Sequence, residues 1–130
     1  MTRTYAGDEA DDLRKRFVYR ADKPIDSIRI LDGRGALHGD CDDAAATMLW
    51  RAEDRNLRHF WFALILGRAA IWRALTDKGG RHAILWHRDH GWIENGTFVW
   101  TEEPAPDMTL RHKRWVLTIA LKMLVGKIVG

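Results

Sequence analysis

Apolar and polar positions along this chain change period from block to block, and each period predicts an element. Residues 8–20, "DEADDLRKRFVYR", set acids before bases, the order that complements a helix dipole, and predict a first helix. A loop-like segment follows from "ADKPID" through "LDGRGALHGD", with "SIRIL" a candidate short strand and Gly33, Gly35 and Gly39 marking turns. Asp40 then has the chemistry of an N-cap, and Asp43 three residues on offers an imperfect capping box for a helix from Cys41 to about Glu53.

Beyond that helix the pattern is denser. "HFWFALILG" is too apolar for period alone to decide, and its aromatic content with the stop at Gly67 favours a buried strand. "RAAIWRALTDKGG" suits a helix by composition and a strand by the alternation of Ile71, Arg73 and Leu75. Trp50, Trp61 and Trp72 lie eleven residues apart, which one long helix would bring to a shared face, so an all-helical alternative stays open. "RHAILWH" and "GWIEN" are short, aromatic and branched, and the turn "RDHG" between them predicts a hairpin. "NGTFVW" adds a turn and a candidate third strand. After the break at "EEPAPD", "MTLRHKRWVLTIALKMLVGKIVG" reads as a basic amphipathic helix.

These elements divide the 130 residues into an α+β domain over 1–107 and a carboxy-terminal helix over 108–130 that packs on the domain or a partner. Composition leaves that picture in place: 46% hydrophobic and 30% charged residues is the balance of a globular protein. The uninterrupted apolar stretch Trp115 to Leu121 falls far short of the ~20 residues that cross a bilayer. "MTRTYAGDEADDLRKRF" lacks the apolar core of a secretion signal. A cytoplasmic protein, or one carried on a virus particle, is expected. Net charge is +3, but acids end at Asp107 and Arg111, Lys113, Arg114, Lys122 and Lys127 follow. That asymmetry would suit an anionic membrane surface or a protein partner through 109–130. No nucleic-acid module is matched, and the seven tryptophans, Trp86 and Trp92 on the hairpin included, are most simply core aromatics.

The chemistry starts from the single cysteine, which excludes an internal disulfide framework and a mainly cysteine zinc site. A cysteine at a helix amino terminus gains thiolate character from free amides and the dipole. To act as a nucleophile it also needs a histidine base and a third group that orients the ring. Of the six histidines (38, 59, 82, 87, 90 and 112), only His82 opens a strand directly after a glycine-rich turn. On the next strand Glu94 or Asn95 can approach that ring. His82, His87 and His90 match no standard zinc spacing, and strand alternation points His82 and His87 to opposite faces, so no metal and no cofactor is expected. His87 and His90 are most cheaply exposed hairpin residues.

A Cys-bearing helix followed by a hairpin with His and a carboxylate or amide is the chain order of papain-like thiol enzymes. "GDCDDAA" resembles the Gly-Asp-Cys-Glu-Asp-Tyr-Ala signature of the bacterial transglutaminase-like cysteine peptidases, phage-encoded members among the expectations. "HAILWHRDHGWIEN" is similar to that family's His-Ala-Val-Leu strand, glycine turn and Val-Leu-Asp-Asn strand. The resemblance covers residues 38–96. It implies a papain/transglutaminase-like fold, a Cys-bearing helix on a small antiparallel sheet, with Cys41 as nucleophile, His82 as general base and Glu94 where the family has its orienting aspartate. Asn95 is the alternative orienting group, and Ala45 stands where the family has tyrosine. The implied function is amide-bond hydrolysis or acyl transfer on a peptide or peptidoglycan-type substrate. The Cys41 N–H would be one oxyanion donor, and the Gly35–Gly39 loop or His38 would supply another. A scaffold of this fold without its chemistry, serving as a structural or adaptor component of a phage particle, is the competing expectation.

Overall fold

A computed structural model describes residues 3–20, 27–76, 81–104, 108–113 and 116–129. The segments carrying "ADKPID", the glycine pair before His82 and Trp115 lie outside the described residues. The described elements run α1 (Arg3–Arg16), β1 (Phe17–Tyr19), β2 (Leu37–Gly39), α2 (Cys41–Ala52), α3 (Leu57–Ile65), β3 (Ala69–Thr76), β4 (Arg81–His87), β5 (Gly91–Ile93), β6 (Met108–Lys113) and α4 (Val116–Val129). β1 and β2 pair in parallel, and the larger sheet is antiparallel in the order β5-β4-β3-β6. The fold is α+β.

α2 is the central helix. Ala44, Ala45, Ala46 and Ala52 are buried on it, and such small side chains let its backbone lie close along β4, with Leu49, Phe60, Ile71 and Leu85 filling the same core. Its buried surface is not wholly apolar. Asp43, Thr47 and Arg51 recur every fourth residue, so they form one stripe, and all three are buried. Asp43 Oδ1 accepts the Arg29 N–H at 2.8 Å and Thr47 Oγ1 accepts the Leu31 N–H at 2.8 Å. "SIRIL" is therefore not a sheet strand. Its amides go to helix side chains, and Ile28 N–H goes to the Lys122 carbonyl of α4 at 3.0 Å. At the far end of the stripe, Arg51 donates to Asp12 Oδ2 at 2.5 Å and lies 3.3 Å from Glu9 Oε2, fastening α1.

Four sequence expectations need correction. The first helix is Arg3–Arg16, and "FVY" leaves it for β1, where its branched and aromatic residues pair with β2. "HFWFALILG" lies within and beyond α3 rather than in a strand: Asn56 caps it through a bond from His59 N–H at 3.1 Å, and Phe60, Ala63 and Leu64 face the core at helical spacing. β3 then breaks any long helix through the three tryptophans. "NGTFVW" forms no strand; Phe98 is buried at φ 50° against Phe17, and only Thr101 bridges to Trp92. Finally, residues 108–113 are β6, paired with β3 through a register shift at Arg73/Ala74, and the terminal helix is confined to α4. Exposed Arg111 and Lys113 suit that sheet edge.

Arg51 is fully buried and holds Asp12 well below the usual carboxylate range, first by its hydrogen bond and then, with Arg16, by charge. Replacing it leaves two carboxylates facing each other over an emptied slot. Arg51→Ala should cost about 3 kcal/mol in urea unfolding, at the low end for broken buried pairs because Asp12 is partly solvated. Because the Asp12 pKa is depressed, its contribution exists above the ordinary value of 3.8 and disappears as pH falls through the folded value. The Arg51→Ala protein should keep only the part of that acid-sensitive share that Arg16 supplies.

Candidate active site

The turn into α2 is built from "GDCDD". Asp40 Oδ1 accepts from Asp43 N–H at 3.0 Å while Asp43 Oδ2 accepts from Asp40 N–H at 3.2 Å, a complete capping box. Gly39 is needed for close approach rather than for a turn: a Cβ there would sit 2.9 Å from Asp43 Cβ and Oδ2 and 3.0 Å from Leu31 Cδ1. Asp40 and Asp43 are thus both engaged within the turn. Asp43 also binds the 29–31 segment, and Asp40 caps. Cys41, free and half-buried, occupies the first helical position, where its N–H has no intrahelical acceptor.

The side chains of Cys41 and His82, forty-one residues apart, come within interacting range of each other. The other side of the ring is occupied: His82 Nε2 lies 2.8 Å from Glu94 Oε2, so Nδ1 is the nitrogen left for the sulfur. Glu94 is itself held. Its Oε2 accepts the Gly96 N–H at 2.8 Å, and Thr97 adds a further bond. A Cβ on Gly96 would stand 2.8 Å from both carboxylate oxygens, so a side chain there would push the Glu94 carboxylate out of this position.

Electrostatics follow from this chain of contacts. Burial alone would pull the His82 imidazole down, but hydrogen bonds to Cys41 and Glu94, with the negative charge of both, outweigh it and raise the pKa from 6.5 to about 9. Burial likewise pushes Glu94 up, yet the bonds from His82, Gly96 and Thr97 and the imidazolium charge leave it below its ordinary value. At neutral pH the centre is an imidazolium between sulfur and carboxylate.

Of the sequence candidates, Cys41, His82 and Glu94 come together. Asn95 does not hold the ring: Glu94 takes Nε2, and Asn95 Oδ1 is buried without a hydrogen-bond partner. His38 is exposed on β2. His87 is not an exposed hairpin residue. It is 2% exposed, accepts Asp89 N–H at Nδ1 (3.2 Å) and bonds through Nε2 to Glu53 Oε2 at 2.7 Å, with His90 stacked at 4.6 Å. Among the described residues no group of three or more His, Cys, Asp or Glu side chains is placed to hold a metal ion. An open cavity of about 730 Å3, lined by Ile84, Trp92, Glu94, Thr97 and Met108 with Glu102 and Glu103 on its wall, adjoins the Glu94 end. Gly96 and Thr97 were missed as supports; the signal was a glycine two residues beyond the acid. No protein-family model, curated protein or solved structure matches the chain.

Because the folded His82 pKa is raised, the pair's stabilisation is complete below pH 6.5 and is lost as pH rises through about 9. Nuclear magnetic resonance of the His82 ring should give a midpoint near 9. In Glu94→Gln the midpoint should fall, and the loss of stability between pH 6.5 and 9 should shrink with it.

Proposed function

We propose that the protein is a thiol-dependent amide hydrolase or acyl transferase, a cysteine peptidase of papain/transglutaminase-like type. The observation that supports this is the meeting of Cys41, His82 and Glu94, with the imidazole bonded to the carboxylate and interacting with a sulfur at a helix amino terminus. Nucleophile, proton carrier and orienting carboxylate are the three roles this chemistry requires. Asn95 has no part in it.

The reaction runs in two stages. Cys41 Sγ, its proton held by His82, attacks the carbonyl carbon of an amide. The resulting oxyanion is met by the Cys41 N–H, the amide that the helix start leaves over. The C–N bond breaks as the imidazolium gives its proton to the leaving amine, and a thioester remains on Cys41. Water then gives a proton to neutral His82 and attacks the thioester carbonyl, releasing the acid and restoring the thiol; an amine in place of water yields a new amide. Glu94 keeps the ring aligned through both stages and stabilises its charged form. Peptide and peptidoglycan-type amides both fit this chemistry.

Raised basicity of His82 makes the acylating form the imidazolium, so acylation should decline as pH rises through about 9. Iodoacetamide at pH 6 should alkylate Cys41 at least about tenfold faster than free cysteine, since only the thiolate reacts. His82→Ala should erase the difference. Peptide and muropeptide p-nitrophenyl esters should leave an acyl mass on Cys41 that is absent in Cys41→Ala. Ordinary thiol reactivity with no acyl adduct would overturn the proposal in favour of a scaffold that has lost its chemistry.

A further inference from the structure

The open cavity of about 730 Å3 beside Glu94 has a make-up that thiol chemistry alone does not require. Ile84, Trp92, Val99 and Met108 supply much of its apolar lining. Continuing the register of β4 and β5 sets Ile84, Trp92 and Glu94 on one sheet face. Their neighbours Ala83, Leu85 and Ile93 alternate to the other face and join the core with α2. The cavity therefore opens on the side of the sheet away from that helix, with a half-buried indole in its lining.

Its charge is of one sign. The described lining residues include three carboxylates, Glu94, Glu102 and Glu103, and no lysine, arginine or histidine. Glu94 is bonded to the His82 ring, so its charge is met inside the protein. Glu102 and Glu103 are exposed, and neither forms a salt bridge with a described residue. In a chain of net charge +3, two uncompensated anions thus stand at an apolar slot. The complement is a side chain with a long aliphatic stem and a cationic end. Such a chain lays its stem along apolar surface and holds its head among the acids. The indole face adds attraction for the cation.

Glu94 fixes where the cavity stands in the reaction. The His82 ring lies between sulfur and carboxylate, with Nε2 toward Glu94 and Nδ1 left for Cys41. In amide cleavage the ring gives its proton to the departing amine, so that amine lies on the ring's side of the thioester. A substrate continuing past the ring in that direction reaches Glu94 and the cavity. We infer that this cavity holds a lysine- or arginine-like side chain on the amine half of the substrate, the half released first. Its place in the reaction rests on the thiol chemistry proposed above, whereas its preference for a cation rests on the lining.

Competition between amines for the acyl-enzyme tests it, because an entering acceptor retraces the path of the amine that leaves. The full chain is acylated with a peptide p-nitrophenyl ester and offered argininamide or citrullinamide. These differ in charge and hardly in shape, and neither side chain is a nucleophile at neutral pH. Mass spectrometry of the products should show argininamide taken up about fivefold better, the size expected of exposed ion contacts, and salt should narrow the gap. Glu102→Gln combined with Glu103→Gln should erase the preference, with circular dichroism checking that the fold survives. Equal uptake of both amides by an acyl-enzyme that does form would overturn the inference and leave the thiol chemistry standing. Binding is read separately by nuclear magnetic resonance of the Trp92 indole in Cys41→Ala, titrated with Nα-acetyl-argininamide and its citrulline analogue. A shift with the arginine ligand alone, in a protein that forms no acyl-enzyme, would uphold the cation preference while the thiol chemistry falls. An indole signal that neither ligand moves would overturn the inference.

Discussion

The molecule depends on the seating of α2 along β4, and that seating is a match of lengths. From Cys41 to Glu53 the helix rises about 18 Å, and from His82 to His87 the strand advances about 17 Å. The two elements run in the same direction and are tied at both ends by an imidazole: His82 to Cys41 at the start, His87 to Glu53 at the end. Slide the helix by one turn and both ties break together. The alanines between them allow the close approach, so the polar contacts and the packing enforce one register. His87 thus supports the candidate site from a distance, by fixing the far end of the element that carries the thiol.

The same helix explains how a chain with few strands builds its core. Asp43, Thr47 and Arg51 would ordinarily be assigned to a solvated face. Here they are buried, and each is matched to a partner: the amides of Arg29 and Leu31, which have no strand to pair with, and the carboxylates of α1. Unmatched, those buried groups would each cost ~1–3 kcal/mol. Matched, they specify where the irregular 27–31 segment and α1 must lie. Gly39 belongs to the same arrangement, since its missing Cβ lets β2 run into the helix start over Asp43 and Leu31.

Much of the site was legible because its signals are local. Capping at Asp40 needs only Asp43, and the hairpin needs only alternation and a turn. The α3 segment misled because its seven consecutive apolar residues, Phe60 to Leu66, carry no period, although Asn56 at its head was a cap in plain view. β6 misled for the opposite reason: Arg111 and Lys113 look like the polar side of a helix, and only a neighbouring sheet edge makes them a strand. His87 could not be recognised from spacing. Its partner is thirty-four residues earlier, and nothing near "LWHRD" announces a buried carboxylate.

The choice between Glu94 and Asn95 turns on reach. Trp86 pairs with Trp92 and Leu85 with Ile93, so continuing the register sets residue 94 opposite Ile84 and one diagonal step from His82. A diagonal neighbour on a sheet is about 7–8 Å away between backbones, beyond a short side chain but within that of a glutamate. Asn95, one residue on, lies in the turn beyond β5, and its Oδ1 bonds nothing. The extra methylene of Glu94 is therefore what the position demands, and the glycine at 96 is its structural consequence: a longer acid folded back toward the ring needs the turn beneath it to be bare. His82 and Glu94 are set by the hairpin's own geometry, twelve residues apart, whereas Cys41 reaches them only through the docking of α2. The triad is therefore assembled by the core, and whatever loosens the helix from the strand separates the sulfur from a histidine–glutamate pair that remains intact.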